Sequence, residues 1–322
     1  MQGRLFKYFR ISSSSASSYF LHTFRENLKA PSTLANTIKE TQNKTEKLIQ
    51  QGIEQGVFYY PQIRKRSYRN TSEYVHFLNA PNSFKMFTDL IENNDVIYHA
   101  RITGRFTMWT IAYEKIEFEN SLIEGYRTDY HFTKAPNQSW DTAIEKMHNM
   151  IDLFDISDYR PTNYLKSHLD QTIYWPPVYD ILFQYFKFNL RKPLTPLMKD
   201  YKIPLDTINQ FLGNVDELFT TTVAYYPGGI ESYEPWLFKI ETDYEDFIID
   251  LFSELPTTSL HFKVKGNLFS LLFGKRELLR NITVPRKIEE LHIPWMMDKM
   301  REKGIITHDE HGLVNCHWKK IF

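Results

Sequence analysis

His99-Ala100-Arg101-Ile102-Thr103-Gly104-Arg105-Phe106 and, 162 residues further on, His261-Phe262-Lys263-Val264-Lys265-Gly266-Asn267-Leu268 are two versions of one pattern. Each is a run of alternating side chains that breaks at a glycine before a second apolar run, which is the signal of a β-hairpin. Working outward, Asn27-Leu28-Lys29-Ala30-Pro31-Ser32-Thr33 recurs at the same spacing as Asn189-Leu190-Arg191-Lys192-Pro193-Leu194-Thr195. Between them, Val57-Phe58-Tyr59-Tyr60-Pro61 recurs as Val223-Ala224-Tyr225-Tyr226-Pro227, offset by 166. Several matches in one order at nearly one offset indicate a tandem duplication.

Each copy reads in two parts. In the first copy, 17–27 has helical apolar spacing, Pro31-Ser32-Thr33 opens a second helix through 40, and a third starts near Lys44. Ile49 and Ile53 share one face of that third helix, Gly56 ends it, and 57–60 with 63–68 read as a wing. Three helices and a wing follow the helix-turn-helix plan. The second part reads strand 74–78, helix 81–92 with Phe84, Phe87 and Ile91 at helical spacing, and strands 96–102 and 106–113. Helix 139–153 then precedes a closing strand, the β-α-β-β-α-β order of a ferredoxin-like module. The matching pieces in the second copy are 236–240, 244–254, 258–264 and 268–273. In the tail, 294–303 reads as a helix and 305–308 with 313–318 as a hairpin.

The fold class expected is therefore α+β: a tandem duplication of a winged helix-turn-helix followed by a ferredoxin-like module. The division expected is 1–70 (basic winged helix-turn-helix), 71–160 (first ferredoxin-like module), 170–234 (second, acidic winged helix-turn-helix) and 235–322 (second α/β module with a divergent tail).

This order resembles the Lrp/AsnC family of regulators, chiefly archaeal and bacterial. The matching residues are Pro31-Ser32-Thr33-Leu34-Ala35 opening the second helix, Gln55-Gly56-Val57-Phe58 ending the recognition helix, and the hairpin around Gly104. The likeness covers most of 17–155 and, more weakly, 178–275. It implies a DNA-binding transcriptional regulator that dimerises or senses an effector through its α/β modules. Doubling within one chain departs from the single-copy pattern, so a homodimer and an intrachain pseudo-dimer both remain open.

Charge locates the expected reading head. The 322 residues hold 39 Lys+Arg and 39 Asp+Glu, but 1–70 hold 12 basic and 4 acidic residues, leaving a net of −8 beyond them. Only the first head suits a polyanion. Its expected contacts with double-stranded DNA are Thr33, Lys44, Thr45, Lys47, Gln50 and Gln51 on the helices, and Arg64, Lys65, Arg66 and Arg69 beyond the wing. The equivalent helix of the second copy, 205–219, lies in a stretch without Lys or Arg between Ile203 and Phe238. Phosphate would repel it.

Other chemistry is thinner. His99 with Arg101 and His261 with Lys263 sit two apart, on one strand face each, and are the candidate small-molecule ligands. They would also be the candidates in an alternative reading as a siroheme-decarboxylase-like enzyme, the third reading being a winged-helix protein scaffold. His308-Asp309-Glu310-His311 with Cys316-His317 matches no zinc spacing, and a polar turn is expected there. There is no P-loop, HExxH or nucleophile elbow, and no cofactor is expected. The first twenty-five residues lack acids and carry Ser12–Ser15, a transit-peptide composition, but the repeat begins near residue 17 and a basic arm is the preferred reading. No apolar run reaches the ~18–20 residues that span a bilayer. A single cysteine suits a reducing compartment, and the cytoplasm is expected.

Overall fold

A computed structural model describes residues 42–275 and 292–319. The expected helices at 17–27 and 31–40, with Thr33, lie outside them. In chain order the elements are α1 (Gln42–Glu54), β1 (Gln62–Lys65), β2 (Tyr74–Leu78), α2 (Ser83–Ile91), β3 (Val96–Thr103), β4 (Met108–Ala112), β5 (Ser121–Tyr126), β6 (His131–Phe132) and α3 (Trp140–Leu153). There follow α4 (Pro177–Phe186), α5 (Thr195–Lys199), α6 (Leu205–Gly213), α7 (Val215–Leu218), β7 (Phe219–Thr222) and β8 (Glu234–Glu241). The last are α8 (Glu245–Ser253), β9 (Leu260–Val264), β10 (Asn267–Gly274), α9 (His292–Glu302) and β11 (His308–Lys319). The chain is thus α+β, and β2-α2-β3-β4 repeats as β8-α8-β9-β10.

One antiparallel sheet runs β5-β2-β4-β3-β11-β8-β10-β9-β6. Its two ends belong to one stretch of chain, 121–132, which pairs with β2 through β5 and with β9 through β6 and an Arg127–Val264 bridge. That stretch therefore links the two ends of the sheet and curls it round a common interior. The alternation of each strand decides what fills it: Val75, Phe77, Trp109 and Ile111 from the first copy meet Leu237, Phe262, Val264 and Phe269 from the second. Phe77 stacks on Phe269 with centroids 4.0 Å apart, and Trp109 on Phe262 at 5.7 Å. Burying such a ring is worth ~1.5–3 kcal/mol, so neither copy holds this core alone.

A pseudo-two-fold relates the copies. β11 pairs with β8 over 308–313 and with β3 over 313–319, placing Trp318 opposite His99. The 121–132 stretch pairs with β2 and then β9, placing His131 opposite His261. The motifs spaced by 166 also meet each other. Phe58 bridges Tyr225, Tyr226 N–H donates to Val57 O at 2.6 Å, and β1 runs antiparallel to β7.

Three expectations are corrected. The closing strand of the first module precedes helix 139–153 instead of following it. An eight-residue loop, 113–120, takes the place of the helix that α9 supplies in the second copy, its Ile116 and Phe118 packing over Leu78 and Met108. α3 is thereby freed and buries Ile144, Met147 and Ile151 against α8 and α9. The wing strands do not pair with each other, since β1 finds its partner in the second copy. The tail hairpin is one twelve-residue strand, β11, because Leu313 and its neighbours bridge β8 and β3. On α2, Phe84 and Ile91 are exposed at 68% and 40%, while Leu90 is buried.

Candidate functional site

α1 is the helix that carries half of the expected DNA contacts. Ile49 is buried with Phe58 and Val223, and Ile53 packs beside them. Gly52 is required at that contact, because a Cβ there would overlap the Phe58 ring. The helix ends in a Schellman arrangement: Gly56 adopts φ +64°, its N–H donates to Ile53 O, and Val57 N–H donates to Gly52 O. The opposite face carries Lys47, Gln50 and Gln51, all exposed. Gln50 Nε2 donates to Glu54 Oε1 at 2.9 Å. Lys44 lies on the same helix, as does Thr45; their side chains are outside the described set.

The basic segment, expected to meet phosphate, is not a free patch, because its cations are engaged within the fold. Arg64 donates to the carbonyls of Ile63 and Lys187 and to Gln62 Oε1, and burial holds its guanidinium below its ordinary range. Lys65 is 7% exposed and pairs with Asp180 at 3.2 Å. Arg66 Nη1 meets Asp129 Oδ2 at 2.7 Å, and its Nε donates to Asp216 O. Arg69, although exposed, donates to Leu169 O and Asp170 O. These cations fasten the linker to the barrel and to the second head. Sequence spacing exposed the cluster but not its partners, which lie 60 to 150 positions away.

Beside the linker is a charged knot that the sequence reading missed. Arg127 is fully buried. Its Nε and Nη2 donate to Glu73 Oε2 at 2.8 and 2.7 Å, Nη2 also donates to Lys65 O, and the guanidinium lies 3.8 Å from the Tyr130 ring centroid. Asp129, 3% exposed, accepts from Ser67 N–H and Arg66 and faces His168 at 3.3 Å. No local pattern marks Arg127, since its partners come from remote parts of the chain.

The four candidate ligand residues lie under helices. His99 is buried against Phe87 of α2 and stacked by Trp318, and burial pushes it down to about 4. Arg101 reaches Ser83 and the Phe84 ring. His261 is buried beside Phe252 of α8 with Nδ1 2.8 Å from Ser270 Oγ. Burial, with His131 nearby, pushes it down to about 3. Lys263 pairs with Glu245 of α8 at 2.7 Å. Each pair does share a strand face, as expected, but that face is the outer one. β11, β8 and β10 separate the two pairs in the sheet, so they do not share one pocket. Among the described residues no group of three His, Cys, Asp or Glu side chains is placed to hold a metal ion.

In the second head, α4, α5 and the α6–α7 pair bury Tyr179, Phe186, Leu197, Ile208 and Phe211. The helix expected over 205–219 is broken at Asn214 into α6 and α7. Between α4 and the first module lies a cleft of about 660 Å³, within the range of small-molecule sites. Lys65, Glu73, Tyr113, Glu114, Trp175, Asp180, Gln184, Tyr185, Lys192 and Tyr201 are among its walls. Among the described residues no helix is long and apolar enough to cross a membrane.

Among solved structures, the chain is similar to the crystal structure of the siroheme decarboxylase NirDL, with a TM-score of 0.48 at 12% identity, covering 95% of this chain and 93% of that chain. It is also similar to the crystal structure of NirDL in co-complex with an iron-uroporphyrin III analogue, with a TM-score of 0.45 at 12% identity and the same coverage. No family model and no curated protein matches.

Proposed function

We propose that the chain is a single-headed, sequence-reading DNA-binding regulator of the cytoplasm, with its duplicated modules forming an intrachain pseudo-dimer. The observation that supports this reading is the division of α1: Ile49 is buried in the fold while Lys47, Gln50 and Gln51 face solvent. A helix anchored by one face presents the other to a groove. The second head offers no such face, because α6 and α7 carry Asp206, Asp216 and Glu217 and no cation.

The internal use of Arg64, Lys65 and Arg66 narrows the proposal. Phosphate contacts then fall to Lys44 and Lys47 of α1 and to the stretch 1–41, which carries six Lys/Arg against two Glu. Each phosphate contact contributes ~0.9 to the log–log salt slope. Selection of DNA by the full chain from a random pool, followed by retention assays across salt concentrations, tests the reading. An enriched sequence with salt-sensitive retention supports it, and no enrichment at any salt concentration contradicts it.

A further inference from the structure

The cleft between α4 and the first module presents several acceptors with unused capacity. Asp180 Oδ1 accepts from Lys65 and from Trp175 Nε1, which leaves Oδ2 toward solvent. Glu73 takes both Arg127 bonds on Oε2, leaving Oε1. Gln184 Oε1 is buried without a hydrogen-bond partner, and Glu114 lines the rim.

Four donors of the walls are already committed. Asn70 Nδ2 donates to Ile173 O, Thr71 Oγ1 to Arg66 O, Ser72 Oγ to Arg69 O, and the Tyr185 hydroxyl to Pro193 O. The cleft's two lysines are held as cations on rings: Lys65 Nζ lies 4.4 Å from the Trp175 centroid and Lys192 Nζ 4.8 Å from that of Tyr185. The walls therefore already bind ammonium groups through acids and aromatic faces, and Tyr113 and Tyr201 add two further rings. Burial raises the Tyr113 phenol, the Glu73 and Asp180 carboxylates raise it further, and a hydrogen bond from the Gln184 side chain opposes them.

We infer that this cleft binds a small organic cation carrying primary ammonium groups, of the aliphatic diamine or polyamine class. The ammonium must carry an N–H, because the Gln184 oxygen, buried without a partner, needs a donor that a quaternary nitrogen lacks. The site does not depend on whether α1 reads DNA, because α1 contributes nothing to its walls.

The test uses the full chain without DNA, at fixed ionic strength, with putrescine, its bis(trimethylammonium) analogue and glutarate as probes. Titration calorimetry is expected to show putrescine binding, weaker binding of the quaternary analogue and none of glutarate. Glu114→Gln, a rim change, and Gln184→Leu are each expected to weaken putrescine binding by about tenfold, the cost of one charge-assisted or buried hydrogen bond. Circular dichroism confirms that the variants are folded. If Gln184→Leu does not fold, Glu114→Gln alone carries the comparison. Equal binding by wild type and Glu114→Gln, equal binding of the quaternary analogue, or preferential binding of glutarate would each overturn the assignment.

Discussion

Trp318 stacks on His99 with ring centroids 5.1 Å apart. It does so from the register position that His131 holds opposite His261. Each module thus lends its last strand to cover a buried histidine of the other, and two copies of one motif become a single barrel.

The two histidines give the barrel an acid sensitivity of defined sign. Burial keeps them neutral, with His99 at about 4 and His261 at about 3 against about 6.5 when unfolded. The unfolded chain therefore binds more protons below pH 6.5, and stability falls as pH drops from 6.5 toward 4. The slope is about 1.4 kcal/mol per pH unit for each histidine. Urea titrations from pH 7.5 to 4.5 should show it, and His99→Phe should make it shallower.

Because the barrel core is shared, truncating one ring should weaken both copies together. Phe77→Ala is expected to cost ~3–5 kcal/mol and to lower a single thermal transition. Two separated transitions would show that the copies are stable independently.

The basic segment should behave as a strut. Arg66→Gln leaves Asp129 without its 2.7 Å cation, at 3% exposure. Losing this part-buried, charge-assisted bond, with Ser67 N–H and His168 still on Asp129, should cost ~1.5–3 kcal/mol. The DNA salt slope should stay unchanged, whereas neutralising Lys44 and Lys47 together should lower it by ~1.8. Measuring stability and salt slope on both variants separates the two roles.

What the sequence disclosed follows from the range of the interactions involved. Ile49 against Lys47 and Gln51, the Gly56 helix end and the β-α-β-β order are local or periodic, and they were legible. Gly52 is a poor helix former by its intrinsic propensity, and only the Phe58 ring packed on it explains the residue. The destinations of Arg64, Lys65 and Arg66 were not legible, because identical cations could face phosphate or Asp129 and Asp180. The position of helix 139–153 was misjudged for a similar reason. Its inward residues fit either module, and the loop 113–120 that displaces it carries no pattern of its own.

The most direct test of the proposed function compares the two heads on one selected DNA at fixed salt by fluorescence anisotropy. Lys47, Gln50 and Gln51 changed together to Ala should lower affinity at least tenfold, at ~1–3 kcal/mol per good base contact. Asn209, Gln210 and Asn214 changed together to Ala should leave it almost unchanged. Comparable losses in the two variants, or no loss in the first, would contradict a single reading head on α1.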